Sequence, residues 1–253
     1  MNRKDIACWT MVALAASFAP WRAADAAVTV VFGTSWDAQP LQSIVDQRYG
    51  PGRIHVTTDY IGARAGDPDP WFWVDRQFSA LLIREVAGNA NTNILGWYSE
   101  EAPGVTPVID DVNDGVVFDG PAGTNSAVLM FFDGPTRRFG FYLNPNGAGS
   151  VQNAPEPEKF FTNRRLNDIG PDGSAARHAP TDGDVQALVF DVSPWTFPNT
   201  WLVCFEDLDS GADVTSCCTG TDNDFNDLVF EVTAFGVTPI EPLTFGAIKS
   251  RYR

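Results

Sequence analysis

From about residue 28 onward the chain is cut into short apolar runs by turn-forming residues. The clearest are "VTVVFG" (28–33), "FSALLIREVAG" (78–88), "NILGWYS" (93–99), "SAVLMFFDG" (126–134) and "RRFGFYLN" (137–144), then "VQALVFDV" (185–192), "WLVCFEDL" (201–208) and "LVFEVTAF" (228–235). Runs of this length, rich in Val, Phe, Leu and Tyr, suit strands, and 22 Gly and 18 Pro supply the breaks between them. One helical pattern stands out, "QPLQSIVDQRYG" (39–50), where Leu41, Ile44 and Val45 share a face and Gly50 follows the end. "VIDDVNDGVVF" reads as a hairpin turning at Asn113-Asp114-Gly115. The expectation is an all-β fold, an antiparallel β-sandwich or jelly roll, with one short helix near the mature N-terminus. No linker divides residues 27–236, which read as a single β-sandwich domain followed by a tail at 237–253.

The first 26 residues read differently. Arg3 and Lys4 precede the apolar stretch "IACWTMVALAASFAP", and the small-residue site "ADA" follows, with a cut expected after Ala26. This is the layout of a secretory signal peptide, and its apolar part is short for a membrane span. An exported protein with no transmembrane segment in its mature chain is expected, bound for the medium, the cell surface or the periplasm. The whole chain carries −15, and the leader takes away Arg3, Lys4 and Arg22 against only Asp5 and Asp25. Such a surface repels nucleic acid and anionic membranes and suits divalent cations. Beyond the leader lie Cys204, Cys217 and Cys218. An oxidising compartment favours one bridge, from Cys204 to Cys217 or to Cys218, over a vicinal bond between the last two. That bridge is worth on the order of 3 kcal/mol if unstrained. There is no CxxC pair to suggest zinc.

The chemistry concentrates in "TGTDNDFNDLVFEV" (219–232), which puts five Asp or Asn residues into positions 222–227 ahead of an apolar run. An echo lies 40 residues upstream: "TDGDVQALVFDV" (181–192) aligns with "TDNDFNDLVFEV" (221–232) without a gap. If strands 185–192, 201–208 and 228–235 run up, down and up, the starts of the first and third meet the finish of the second. Asp182, Asp184, Asp207, Asp209, Asp222, Asp224, Asn226 and Asp227 would then gather at one edge. Carboxylates so placed repel one another unless water, salt or a cation neutralises them. A hard ion such as Ca²⁺ takes six to eight oxygens from groups of this kind, whereas Mg²⁺ keeps its waters and fits less well. The start Asp222-x-Asp224-x-Asn226 resembles an EF-hand loop, but Asp227 stands where Gly is needed and Thr233 where Glu is needed. Asp207 is the first choice for a carboxylate from the neighbouring strand, with Glu206 expected to point to the opposite face. The plainer alternative is a solvated turn, since Asp and Asn favour polar hairpin mouths.

"WLVCFEDLDS" followed by "TDNDFNDLVFEV" resembles the signature of the bacterial domain of unknown function 4114 family, which carries a Phe-Glu-Asp strand and an Asp-x-Asp-aromatic-Asn-Asp strand. "LLIREVAGNANTNILGWYS" and "FGFYLN" are similar to that family's earlier strands, so the likeness covers most of residues 40–235, with a core at about 78–235. The resemblance implies an exported β-sandwich of surface or matrix proteins, a calcium-binding role, and no established reaction. His55 and His178 are the only histidines and no Gly-x-Ser-x-Gly elbow is present, so a glycoside hydrolase or esterase has little support. Glu85, Glu206 and Glu231 could pair as glycosidase carboxylates but read as surface or turn residues. Trp36, Trp71, Trp73, Trp97, Trp195 and Trp201 offer stacking platforms for a carbohydrate-binding module, with "DPWFWVD" on an exposed loop, although Trp more often packs a core. The tail "EPLTFGAIKSRYR" reads as a frayed basic terminus or a short partner-binding helix. The sequence therefore points to a non-catalytic calcium-binding module with a structural or adhesive role, whose partners are a divalent cation and an extracellular polysaccharide or surface protein.

Overall fold

A computed structural model describes residues 30, 32–33, 39–64, 70, 72–74, 77–87, 90, 93–99, 115–119, 125–131, 137–145, 160–163, 167, 185–207 and 223–235. The expected signal peptide (1–26), the tail (237–253), Asp182, Asp184, Asp209, Asp222, Cys217, Cys218, His178, Trp36, Trp71 and the turn at 113–114 lie outside those residues. The elements are α1 (Leu41–Tyr49), β1 (Phe72–Val74), β2 (Gln77–Glu85), β3 (Ile94–Ser99), β4 (Gly115–Asp119), β5 (Ala127–Phe131), β6 (Arg137–Asn144), β7 (Phe160–Phe161), β8 (Ala187–Asp191), β9 (Thr200–Phe205) and β10 (Leu228–Phe235). The all-β antiparallel sandwich with one short helix is the fold observed.

One sheet has the order β1-β6-β3-β4, with β7 also paired to β6. The other has the order β5-β2-β10-β9-β8. Between them lies an aromatic core in which Phe78 stacks on Phe139 at 5.0 Å and Phe141 meets Phe230 edge-on at 5.1 Å, each contact bridging the two sheets. Phe72–Val74 of "DPWFWVD" form β1 and Phe72 is buried in this core, so this part of the stretch is a strand where a loop was expected. "VTVVFG" departs from expectation too. Val30, Phe32 and Gly33 join no ladder; Val30 and Phe32 pack on the outer face of the second sheet.

That outer face carries a second apolar layer. Leu188 and Phe190 of β8, Leu202 and Cys204 of β9 and Val229 of β10 face Leu41, Ile44, Val45 and Tyr49 of α1, with Ile54, Val56 and Tyr60 beyond it. Helical spacing puts the four α1 residues on one side, and each such burial is worth roughly 1.5–3 kcal/mol. Gln42 ties down the chain after the helix, donating to the Ile54 carbonyl and accepting from the Val56 amide. Arg48 donates twice to the Glu231 carboxylate of β10, at 3.0 and 2.8 Å, and the Tyr49 hydroxyl donates at 2.6 Å. Glu231 is therefore neither a surface nor a turn residue; it is the polar anchor of the helix.

Strands β8, β9 and β10 are thus covered on both faces, which is why they read as continuous apolar runs. The 40-residue echo has a consequence here. Leu188 and Phe190 face the outer layer, while their counterparts Leu228 and Phe230 face the inter-sheet core. The two strands flank β9 one residue out of phase, so the echo is not a structural repeat. A strand buried on both sides tolerates that inversion.

In the first sheet, Gly96 sits opposite Tyr142 and Gly140 opposite Tyr98. A Cβ built on Gly96 would lie 2.1 Å from the Tyr142 ring. The tyrosines lie over the glycines, and neither ring can yield without leaving a buried position. Gly96→Ala is therefore expected to cost about 1–3 kcal/mol, read as a lowered urea midpoint with an unchanged slope.

Candidate functional site

The antiparallel order β8, β9, β10 brings the start of β8, the end of β9 and the start of β10 to one rim. Register decides which acids meet there. Leu228 pairs with Phe205, so one step beyond the ladder Asp227 lies across from Glu206. Both are on the outer face, in phase with Val229 and Cys204. One oxygen each of Glu206, Asp224 and Asp227 lies within 4.8 Å of the others, and all three side chains are buried. Asp207 is buried beside them, and its backbone N–H donates to Asp227 Oδ2 at 2.7 Å. Of the acids proposed from the sequence, Asp224 and Asp227 belong to this cluster, Asp207 borders it through its backbone, and Asn226 is buried in the same turn.

Glu206 is the residue the sequence reading passed over. Strand alternation does set Glu206 and Asp207 on opposite faces, but Asp227 shares the face of Glu206. The pairing of "VCFE" with "DLVF" carried that information, since aligning Phe205 with Leu228 forces Glu206 onto Asp227.

Several elements hold the turn before β10. Asn223 and Phe225 have φ of +50° and +55°, a backbone region that an aromatic side chain enters at a cost. Phe225 stays there because its ring is buried in the outer layer, where it meets Phe32 at a centroid distance of 5.8 Å. The Asp224 side chain caps its own turn by accepting from the Asn226 N–H at 3.1 Å. The Phe225 N–H approaches Glu206 Oε2 at 3.4 Å. The Val86 N–H after β2 donates to the Asp227 carbonyl, the Glu206 N–H donates to the Gln186 carbonyl before β8, and the Gly33 N–H donates to the Asn223 carbonyl. Asn226 Nδ2 donates to the Gln39 carbonyl at 2.9 Å.

The electrostatics are severe. Two full charges about 4.8 Å apart repel by roughly 3–4 kcal/mol at an effective dielectric of about 20. Burial pushes the Asp227 carboxyl up to about 11, helped by the charges of Glu206 and Asp207 and opposed by the Asp207 backbone N–H. Such a group either keeps a proton or shares a cation. The donors are oxygen throughout, which suits a hard divalent ion rather than zinc or copper. Three carboxylates, the Asn226 amide and nearby backbone carbonyls could supply most of the six to eight oxygens that calcium takes.

Other proposed features fall elsewhere. Cys204 carries a free, fully buried thiol in the outer layer, and burial raises its pKa; its expected partners lie outside the described residues. Trp97 is a core residue, and Trp201 packs partly buried against Phe72. Trp195 and Phe197 sit at the opposite end from the acids, on the β8–β9 loop, 37 % and 74 % exposed. That loop is fixed by hydrogen bonds from Trp195 N–H and Thr196 Oγ1 to the Val192 carbonyl and from Thr200 N–H to Ser193 Oγ. Searches against family models, curated proteins and solved structures found no match.

The sign of the pH dependence follows from the Asp227 shift. A carboxyl whose folded pKa lies above its unfolded value of 3.8 binds more protons in the native state. Stability of the metal-free protein must fall as pH rises above that unfolded value, by up to about 1.4 kcal/mol per pH unit from this group. Urea unfolding in chelator at pH 6, 7 and 8 should show the decline, and Asp227→Asn should flatten it.

Proposed function

We propose that this chain is an exported, non-catalytic β-sandwich module that binds calcium at the rim formed by Glu206, Asp224 and Asp227. The observation that carries this reading is the meeting of three buried carboxylates from two segments at the open end of a ladder. A divalent ion there neutralises charge that burial makes costly, and it ties the end of β9 to the turn leading into β10. Asn226 would offer its amide oxygen. Asp209 and Asp222 adjoin these two segments in the sequence and are the next ligands to test by substitution. The role is structural: the ion fastens the sheet that carries the outer layer, and the module acts as a surface or matrix element. The likeness of the Phe-Glu-Asp and Asp-x-Asp-aromatic-Asn-Asp segments to the 4114 family supports the same reading.

Thermal unfolding with calcium and with chelator tests it. Calcium at about a hundred times its dissociation constant should add on the order of 2.7 kcal/mol. Glu206→Gln and Asp224→Ala should abolish the gain, and magnesium should give less of it. A wild-type melting temperature that ignores both calcium and chelator would sink the reading.

A second reading, carbohydrate binding, is favoured by one observation: the rigid loop presenting Trp195 and Phe197. Exposed aromatic faces on a loop whose backbone is tied by hydrogen bonds suit stacking on flat ligands. Retention on insoluble polysaccharide should fall at least several-fold in Phe197→Ala with no change in calcium response. Equal flow-through of wild type and variant would leave the loop without this role.

A further inference from the structure

We infer that Phe32, Gly33 and Gln39, together with helix α1, are a working part of the ion site, so that calcium binding and the docking of these residues on the sheet are coupled. The inference rests on the calcium reading above and extends it to residues that supply no ligand. Phe32, Gly33 and Gln39 all touch the turn 223–226: by a ring contact to Phe225, by Gly33 N–H to the Asn223 carbonyl at 3.0 Å, and by the Gln39 carbonyl taking Asn226 Nδ2 at 2.9 Å. The last contact fixes which way the Asn226 amide faces. The turn so held contains two of the four described non-glycine residues with positive φ, Asn223 and Phe225. Backbone in that region persists only where surroundings over-determine it.

The same segment grips β10 a second time. Gln39 is separated from the helix only by Pro40, and α1 is fastened through Arg48 and Tyr49 to Glu231, four positions along from Asp227. The strap therefore holds both the turn that aims Asp224 and the strand that carries Asp227. Without it the strained turn has fewer contacts to prevent relaxation, and the Asp224 oxygen is no longer directed at Glu206 and Asp227. The ion favours the same turn conformation from the other side. Two partners that stabilise one conformation raise each other's affinity by the same factor. Phe32, Gln39 and Arg48 are positioning residues in this sense. Calcium would govern whether the N-terminal segment lies on the sheet.

Calorimetric titration with calcium, well below the unfolding transition, tests this in the full chain with Phe32→Ala, Arg48→Gln and Gly96→Ala. The first two should bind on the order of tenfold more weakly. Gly96→Ala, destabilised in the far sheet, should keep wild-type affinity, which separates positioning from mere loss of stability. Trypsin provides a measure on the wild type alone: cleavage after Arg48 and Arg53 should be several-fold faster in chelator than in calcium. If the wild type binds calcium while Phe32→Ala and Arg48→Gln bind equally well and the nicking rate ignores the ion, the coupling is wrong and the ion site stands. If the wild type shows no calcium binding, the ion site itself fails and the coupling with it.

Discussion

A sheet that is covered on both faces leaves its strand ends few ways to reach water. In this sandwich β8, β9 and β10 have the aromatic core on one side and helix α1 with its flanking chain on the other. Where the ladder stops at Phe205 and Leu228, the next residues remain within that covered layer, and here they are Glu206 and Asp227, both buried. An apolar pair at those positions would simply have extended the core. Two carboxylates facing each other create instead a concentration of negative charge whose neutralisation the fold has to provide. The turn with its two left-handed residues, the carbonyl of Gln39 and the amide of Val86 are arranged around that problem.

The two ends of the second sheet differ in chemistry because different segments close them. The acidic rim is crossed by the chain before α1, by the turn before β10 and by the exit of β2, each of which brings backbone hydrogen-bonding groups. The far end is closed by the short β8–β9 connection, whose hydroxyls are spent on its own backbone and whose aromatic side chains turn outward. Polar groups are gathered at one pole and apolar ones are displayed at the other. A bound ion and a stacking surface could therefore operate without competing for the same residues.

Much of this was legible in the chain. The β10 run "LVFEVTAF" (228–235) and the β6 run "RRFGFYLN" (137–144) coincide with the strands, and the helix ends at Gly50 as its pattern indicates. The up-down-up order of β8, β9 and β10 is also correct. Three things were hidden, each for a physical reason. Strands β1 and β7 are three and two residues long, too short for periodicity to register. Val30 and Phe32 have strand composition but gain their burial by packing on a sheet's back instead of joining one. Glu206 was missed because alternation along one strand was applied without the register of its neighbour, and facing is a property of the pair. The echo has the same limit: matching letters go with similar burial here but not with the same face.

That last point bears on what keeps β10 in place. For a half-exposed strand, slipping by one residue turns every apolar side chain to water, and this alone fixes the alignment. β10 has no such safeguard over Leu228 to Val232, where either phase buries Val, Phe and Leu. Glu231 breaks the ambiguity. In the observed alignment its carboxylate reaches Arg48 and Tyr49; slipped by one, it would enter the apolar interior between the sheets with nothing to receive it. A single charged residue in the middle of a mostly apolar strand is what makes one threading of the sheet cheaper than its neighbour, and the acids at the rim meet only in that threading.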